Sequence, residues 1–296
     1  MKFDHNNISP LDSRYANKIP EFRKNFSEYS LIKIRFDIEI DWLIFLCTKL
    51  PKLFKPISKQ SIKKLELFKN DFNDKYVLKI KKIEATTNHD VKAVEYFIRD
   101  HFNKDKILSG YTHLIHFGLT SEDINSLSYA YLVKNGIKLF ANEVSIINKT
   151  LKSYSSKWSK ISFLARTHGQ PASPSTIGKE LKVFSSRIDR EIKTLKTIKP
   201  LAKFSGATGN FHTFDIVDNK VNWPTINKKF IHQFGIEQNL YTTQIEPHDW
   251  IAEVSHSIVR INNILTDLCQ DSWIYISNDI FALKLQKNEV GSSTMP

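Results

Sequence analysis

Apolar residues recur at alternating steps of three and four along much of this chain. Ile137, Phe140, Val144, Ile147, Leu151, Tyr154 and Trp158 form one stripe. Ile177, Leu181, Phe184, Ile188, Ile192 and Leu195 form a second, and Ile251, Val254, Ile258, Ile261, Leu265 and Leu268 a third. This rhythm keeps the apolar side chains on one helix face and belongs to near-parallel packed helices, not to strands. Leu31, Ile34, Ile38, Trp42 and Phe45 mark a shorter amphipathic helix in a less regular, mainly helical N-terminal third.

Polar signals bound the three long helices. Thr120-Ser121-Glu122-Asp123 offers a hydroxyl cap followed by acids in the first turn. Pro174-Ser175 precedes the second helix and Pro200 closes it, while Glu246-Pro247 opens the third. The first helix is expected from Ser121 to about Trp158, roughly 55 Å at 1.5 Å per residue, with Gly136 as a possible kink. The third is expected from Pro247 to about Phe281, roughly 50 Å. Helices of this length predict an all-α fold whose long bundle is completed by other subunits. We expect an N-terminal helical domain over residues 1–110 and a central long-helix bundle over 111–296, the boundary falling near Asn103–Tyr111. Residues 200–245, with Gly206, Gly209, Pro224 and Gly235, read as a looser connection, and no internal repeat is visible.

Composition narrows the function classes. The 41% hydrophobic and 25% charged fractions are those of an ordinary soluble globular protein. A net charge of +12 invites a nucleic-acid partner, but 35 of the 43 basic residues are Lys, spread along the whole chain. Bidentate nucleic-acid contacts favour Arg, so a solvated Lys-rich surface is the better reading and no nucleic-acid partner is expected. An anionic small substrate would still benefit from the field. The longest obvious apolar run, Trp42 to Cys47, is far short of a membrane span, and MKFDHNNISP has no signal-peptide core. Cys47 and Cys269, far apart, form neither a disulfide framework nor a zinc spacing and fit a reducing cytoplasm. The nine glycines form no dinucleotide or P-loop motif.

Chemically capable residues collect at the helix ends, each with a plain alternative. Asn88-His89-Asp90 could be a surface turn. His113 and His116, three apart, could share a helix face, but metal ligation needs a third ligand that no spacing supplies. Thr120 and Ser121 could be only a cap, His168 only a hydrogen-bonded loop histidine, and Gln244 only a loop residue before a helix. Gly291-Ser292-Ser293-Thr294-Met295-Pro296 could be a polar tail.

Taken together, the motifs resemble the adenylosuccinate lyase family of the fumarase/aspartase superfamily. "SPLDSRY" (Ser9–Tyr15), "TTNHDVKAVEYF" (Thr86–Phe97), "HFGLTSEDIN" (His116–Asn125), "RTHGQPASPSTIGKE" (Arg166–Glu180) and "YTTQIEPHD" (Tyr241–Asp249) match in order and spacing over nearly the whole chain. "GSSTMP" resembles the first half of the superfamily loop G-S-S-x-M-P-x-K-x-N. The resemblance implies reversible β-elimination of fumarate from adenylosuccinate, and from the succinylated aminoimidazole carboxamide ribotide. The proton next to a carboxylate must be taken, the resulting dianion stabilised and the leaving nitrogen protonated. It assigns His168 as general acid and Ser292 as general base, with Gly291 giving the loop its mobility. Thr120 and Ser121 would hold a carboxylate at a helix N-terminus. Arg14 and Tyr15 would bind the nucleotide, Asn88, His89 and Asp90 the substrate beside the reacting centre, and Gln244 would contact substrate, with His116 as a further binding residue. No metal or organic cofactor is required, and a homotetramer with composite sites is implied.

Two departures stand out. Ser13 occupies a position where the family usually has Gly, and the Lys and Asn of the loop, with everything beyond them, do not follow Pro296. The 296-residue chain alone is therefore expected to be inactive or nearly so. The alternatives are another lyase of the superfamily, such as argininosuccinate lyase, or a noncatalytic basic helical scaffold with salt-sensitive nucleic-acid binding.

Overall fold

A computed structural model describes residues 8–284. Its helices are α1 (Pro20–Phe26), α2 (Glu28–Lys49), α3 (Lys59–Asn70), α4 (Asp74–Thr87), α5 (Asp90–Asn103), α6 (Ser121–Lys157), α7 (Ile177–Thr197), α8 (His212–Val217), α9 (Trp223–Gln233) and α10 (Asp249–Ser277). Strands are few: an antiparallel pair β1 (Ser162–Thr167) and β2 (Gln170–Thr176), and a two-residue parallel pair β3 (Leu201–Ala202) and β4 (Glu237–Gln238). The all-α expectation holds, and the three long helices begin and end within a few residues of their predicted bounds. No described helix is long and apolar enough to cross a membrane.

The chain forms two compact units, Met1–Leu139 with Lys199–Ala252, and Phe140–Ile198 with Glu253–Pro296. In the first, α2 is buried on nearly every side, not along one stripe alone. Trp42 on α2 meets Phe204, Phe214 and Phe230 edge-on, with ring centroids 5.0, 6.1 and 4.9 Å away. Aromatic pairs in this geometry add to the burial of their large apolar area. Two charged residues, Arg35 and Glu39, are buried on the same helix. Gly136 does not interrupt α6; a Cβ there would lie 2.3 Å from the Phe26 ring, so the glycine admits that ring against the helix.

In the second unit the predicted α7 stripe is the buried face, with Ile177, Phe184, Ile188, Ile192 and Leu195 all inside. Gly178 lets α7 approach the end of α6: a Cβ would come within 2.3 Å of the Ser155 carbonyl. Ser155 Oγ donates to the Gly178 carbonyl at 2.7 Å across the same contact. Not all of the α6 stripe is covered. Ile147 and Tyr154 remain exposed, as does neighbouring Ile146.

The segment from Arg166 to Ser175, read from sequence as a loop, is a β-hairpin closed by the two-residue turn His168-Gly169. Both turn residues have positive φ, 55° and 74°, the signature of hairpin turns whose twist matches the strands. Pro171, Pro174 and the absence of alternation hide the strands in the sequence.

Candidate active site

Thr120 and Ser121 stand at the start of α6 and are half-buried. The turn is built around Asp123, which is fully buried. Its carboxylate accepts the Thr120 N–H (2.8 Å), the Ser205 N–H (2.9 Å) and the Gly206 N–H (3.1 Å), and the Lys203 ammonium lies 2.8 Å away. Lys203 is also fully buried and donates to the Gly206 carbonyl at 2.8 Å. Ser126 Oγ, one turn along α6, donates to the Lys203 carbonyl at 3.1 Å. An ion pair without solvent persists only when further hydrogen bonds support it, and here three backbone N–H groups bond the carboxylate and a carbonyl accepts from the ammonium. The pair therefore fixes the 203–206 turn against the helix start. The preceding loop is fixed as well. Gly118 has φ +73° and would place a Cβ 2.3 Å from the Phe214 ring, and the Trp42 indole N–H donates to the Phe117 carbonyl at 2.9 Å.

The Asn88-His89-Asp90 motif joins α4 to α5. Asn88 takes the left-handed conformation (φ 49°) that ends α4, which Asn tolerates better than most residues. His89 caps α5, its Nδ1 accepting the Lys92 N–H at 3.2 Å. An imidazole that accepts at Nδ1 carries its proton at Nε2 when neutral. Nε2 lies 3.4 Å from Ser121 Oγ, so two residues predicted separately meet. Asp90 pairs with Arg35 of α2 at 2.8 Å. Partial burial pushes the Asp90 carboxyl up, but Arg35 and the Val91 N–H outweigh it and hold it below the usual range. An open polar groove lined by Lys81, Glu84, Ala85, Asn88 and Asp90 runs beside this junction.

His116, with φ +61°, is clamped by Glu39 of α2. Its backbone N–H donates to Oε2 at 3.0 Å and its Nδ1 lies 2.6 Å from Oε1. Burial disfavours the imidazolium, yet the adjacent Glu39 and, behind it, Glu95 raise His116 above its ordinary value. Arg99 bridges these groups, donating from Nε to Glu95 at 3.0 Å and from its terminal nitrogen to the Ile115 carbonyl at 3.2 Å.

Gln244 is exposed on the loop between β4 and α10. Two residues later Glu246 is buried, accepting from Asn239 Nδ2 (2.8 Å), Trp250 Nε1 (3.1 Å) and the His248 N–H (2.7 Å). Arg14 and Tyr15 are exposed near the N-terminus, the guanidinium 5.5 Å from the Tyr15 ring centroid. The structure thus brings His89 to Ser121 and anchors Asp90 and His116 on α2.

His168 belongs to the second unit and sits exposed at the hairpin tip, where Arg166 donates to the Gly169 carbonyl at 3.0 Å. The hairpin base is tied down at Glu180 on α7. Its carboxylate accepts from Ser175 Oγ (3.2 Å) and from the Tyr275 hydroxyl of α10 (3.4 Å). Burial, with Glu180 and Asp271 nearby, pushes the Tyr275 phenol up to about 12. Ser292 and Gly291 lie outside the described residues. Among the described residues no group of three or more His, Cys, Asp or Glu side chains is placed to hold a metal ion.

Sequence reasoning missed Arg35, Glu39 and Lys203. The first two share a stretch, Ile32–Asp41, in which charged residues alternate with apolar ones, so only their burial distinguishes them from Lys33, Asp37 and Asp41. Lys203 gave no signal among 35 lysines.

A family model described as "Lyase" covers residues 13–296, and the chain belongs to that family. It is similar to the adenylosuccinate lyase of Buchnera aphidicola subsp. Schizaphis graminum, 44% identical over 292 residues. That alignment covers 98% of this chain and 64% of the relative. The adenylosuccinate lyase of Escherichia coli strain K12 is 39% identical, with the same 98% and 64% coverage. The chain thus spans less than two-thirds of the length of these relatives. Among solved structures, a fumarate lyase from Mesorhizobium sp. BNC1 shares the fold with a TM-score of 0.70 at 17% identity, over 88% of this chain and 58% of that one. A 3-carboxy-cis,cis-muconate lactonizing enzyme from Pseudomonas putida does so with a TM-score of 0.68 at 15% identity, over 87% and 56%.

Proposed function

We propose that this chain carries residues of an adenylosuccinate-cleaving active site. The observation that carries the reading is the meeting of His89 with Ser121 at the start of α6, in a chain 44% identical to a relative of that name. In the proposed reaction Ser292 takes the proton next to the substrate carboxylate, and the electron pair becomes the new carbon–carbon double bond. The carbon–nitrogen bond breaks, and His168 protonates the leaving nitrogen. Fumarate leaves with AMP, or with the amide from the succinylated aminoimidazole carboxamide ribotide. Thr120 and Ser121 hold a substrate carboxylate at the positive end of the 37-residue helix α6. Arg14 and Tyr15 take the nucleotide, Asn88, His89 and Asp90 the region around the reacting centre, and Gln244 and His116 complete the pocket. No step needs a metal or an organic cofactor.

The reading includes a homotetramer in the cytoplasm, with His168 delivered to the site from a neighbouring copy. Two features support the assembly. The hairpin that carries His168 is exposed over nearly its whole length. Ile146, Ile147, Trp273 and Ile274 stay exposed on long helices.

The test joins this chain to the C-terminal part of the Buchnera relative and measures fumarate release from adenylosuccinate. Turnover is expected. His168→Gln should lower kcat by about 10²–10⁴-fold, the usual weight of general acid catalysis, with KM changed only a few-fold. No fumarate from the completed enzyme would overturn the proposal; a kcat within a few-fold of wild type would remove His168 from the chemistry.

A further inference from the structure

The loop that carries Gln244 is joined to the start of α6 through one side chain, His248, that lies in the same motif but was given no role from sequence. We propose that His248 is a positioning residue: it latches this loop onto Glu122, so that Gln244 and Thr120-Ser121 face the same substrate. The inference rests on the function proposed above and adds a residue to it.

Glu122 is the neighbour of Ser121 in the first turn of α6. Its Oε1 receives His248 Nε2 at 3.1 Å and the Glu246 N–H at 3.4 Å, both from one short segment. The other ring nitrogen, Nδ1, lies 3.0 Å from Glu246 Oε2, within ion-pair distance but outside hydrogen-bond geometry. The imidazole therefore stands between two carboxylates, one on the loop and one on the helix. Tyr129 and Trp250 flank it edge-on, each ring centroid 6.1 Å away.

The backbone conformation reinforces this reading. His248 has φ +60°, a left-handed conformation that costs a residue with a Cβ and persists only where the surroundings impose it. That conformation lets the His248 N–H bond back to Glu246 while its ring reaches Glu122.

At the other end of the loop, Thr242 presses on Gly209, where a Cβ would lie 2.1 Å from the Thr242 carbonyl oxygen. Gln244 is thus two residues from each of two anchored points, and only a few backbone torsions separate it from either. Release of the Glu122 end frees the Gln244 amide without removing it.

The test has two arms. The first measures amide hydrogen exchange of the 296-residue chain. Glu122→Ala, which leaves the loop sequence intact, should quicken exchange over residues 241–248 by about tenfold, the scale of one hydrogen bond to a charged group. His248→Gly, which tolerates the positive φ, should do the same, and the double variant should be no faster than the quicker single. The second arm uses the enzyme completed with the relative's C-terminal part. Both variants should raise KM for adenylosuccinate about tenfold and leave kcat within a few-fold, since Gln244 is assigned to binding. His248→Asn, which accepts the left-handed conformation and offers an amide donor, should recover part of the loss. Unchanged exchange in Glu122→Ala would overturn the latch, as would quickened exchange with wild-type KM. If the completed wild-type enzyme releases no fumarate, the proposed function fails and the exchange comparison alone decides the latch.

Discussion

His116 and Glu39 show how one residue's environment sets a measurable property of the whole fold. Burial works against charge on the imidazole, but Glu39 at 2.6 Å and Glu95 behind it prevail, so His116 is raised above 6.5. A histidine whose value is higher folded than unfolded contributes stability that is complete below the unfolded value. That contribution is lost as pH rises through the folded value. Wild-type protein should therefore lose thermal stability as pH rises above the ordinary histidine value, and His116→Gln should show a shallower decline. Identical slopes would mean that His116 does not carry the charge assigned to it. The sequence marked His116 as a candidate binding residue but not its partner, which lies 77 residues away on α2 with no local pattern to link them.

The start of α6 makes the same point at the scale of an element. The Thr-Ser-Glu-Asp run is a legible helix start, yet its rigidity comes from Lys203 and the 203–206 turn. Removing one partner of a buried pair leaves an uncompensated charge. Lys203→Met should therefore cost about 3–5 kcal/mol in urea unfolding. The double variant Lys203→Met with Asp123→Asn should cost less than the sum of the singles, because it leaves no bare charge. Additive losses would show that the two residues stabilise the turn independently. The long helices were legible because a three-four apolar rhythm survives any tertiary arrangement. The His168 hairpin was not, because its strands are exposed, carry two prolines and bury no alternating face. The 203–206 turn was not, because its essential residue is one lysine in a lysine-rich chain.

At the scale of the molecule, residues assigned to one site are divided between units. His89, Ser121 and Gln244 belong to the first, His168 to the second. The proposed assembly supplies His168 from another copy, and complementation can test this. His168→Ala and Ser292→Ala versions of the completed enzyme, each inactive alone, are dissociated, mixed equally and reassembled. If the two residues reach a site from different copies, about one site in four regains both native groups under random mixing. Activity near that fraction is expected; a dead mixture in which hybrids demonstrably form would place both residues on one copy. The motifs named these residues from sequence, but not which of them one chain brings together, because that depends on packing between distant segments.

The Trp42 indole has a practical consequence. It is fully buried and hydrogen-bonded to the Phe117 carbonyl, three residues before Thr120. Its fluorescence is thus wired to the loop that precedes the proposed carboxylate pocket. Any movement of that loop alters the polarity around a fixed chromophore in the aromatic core. In a variant whose other four tryptophans are replaced by phenylalanine, Trp42 emission should therefore report, without an added label, on the loop before the proposed carboxylate site.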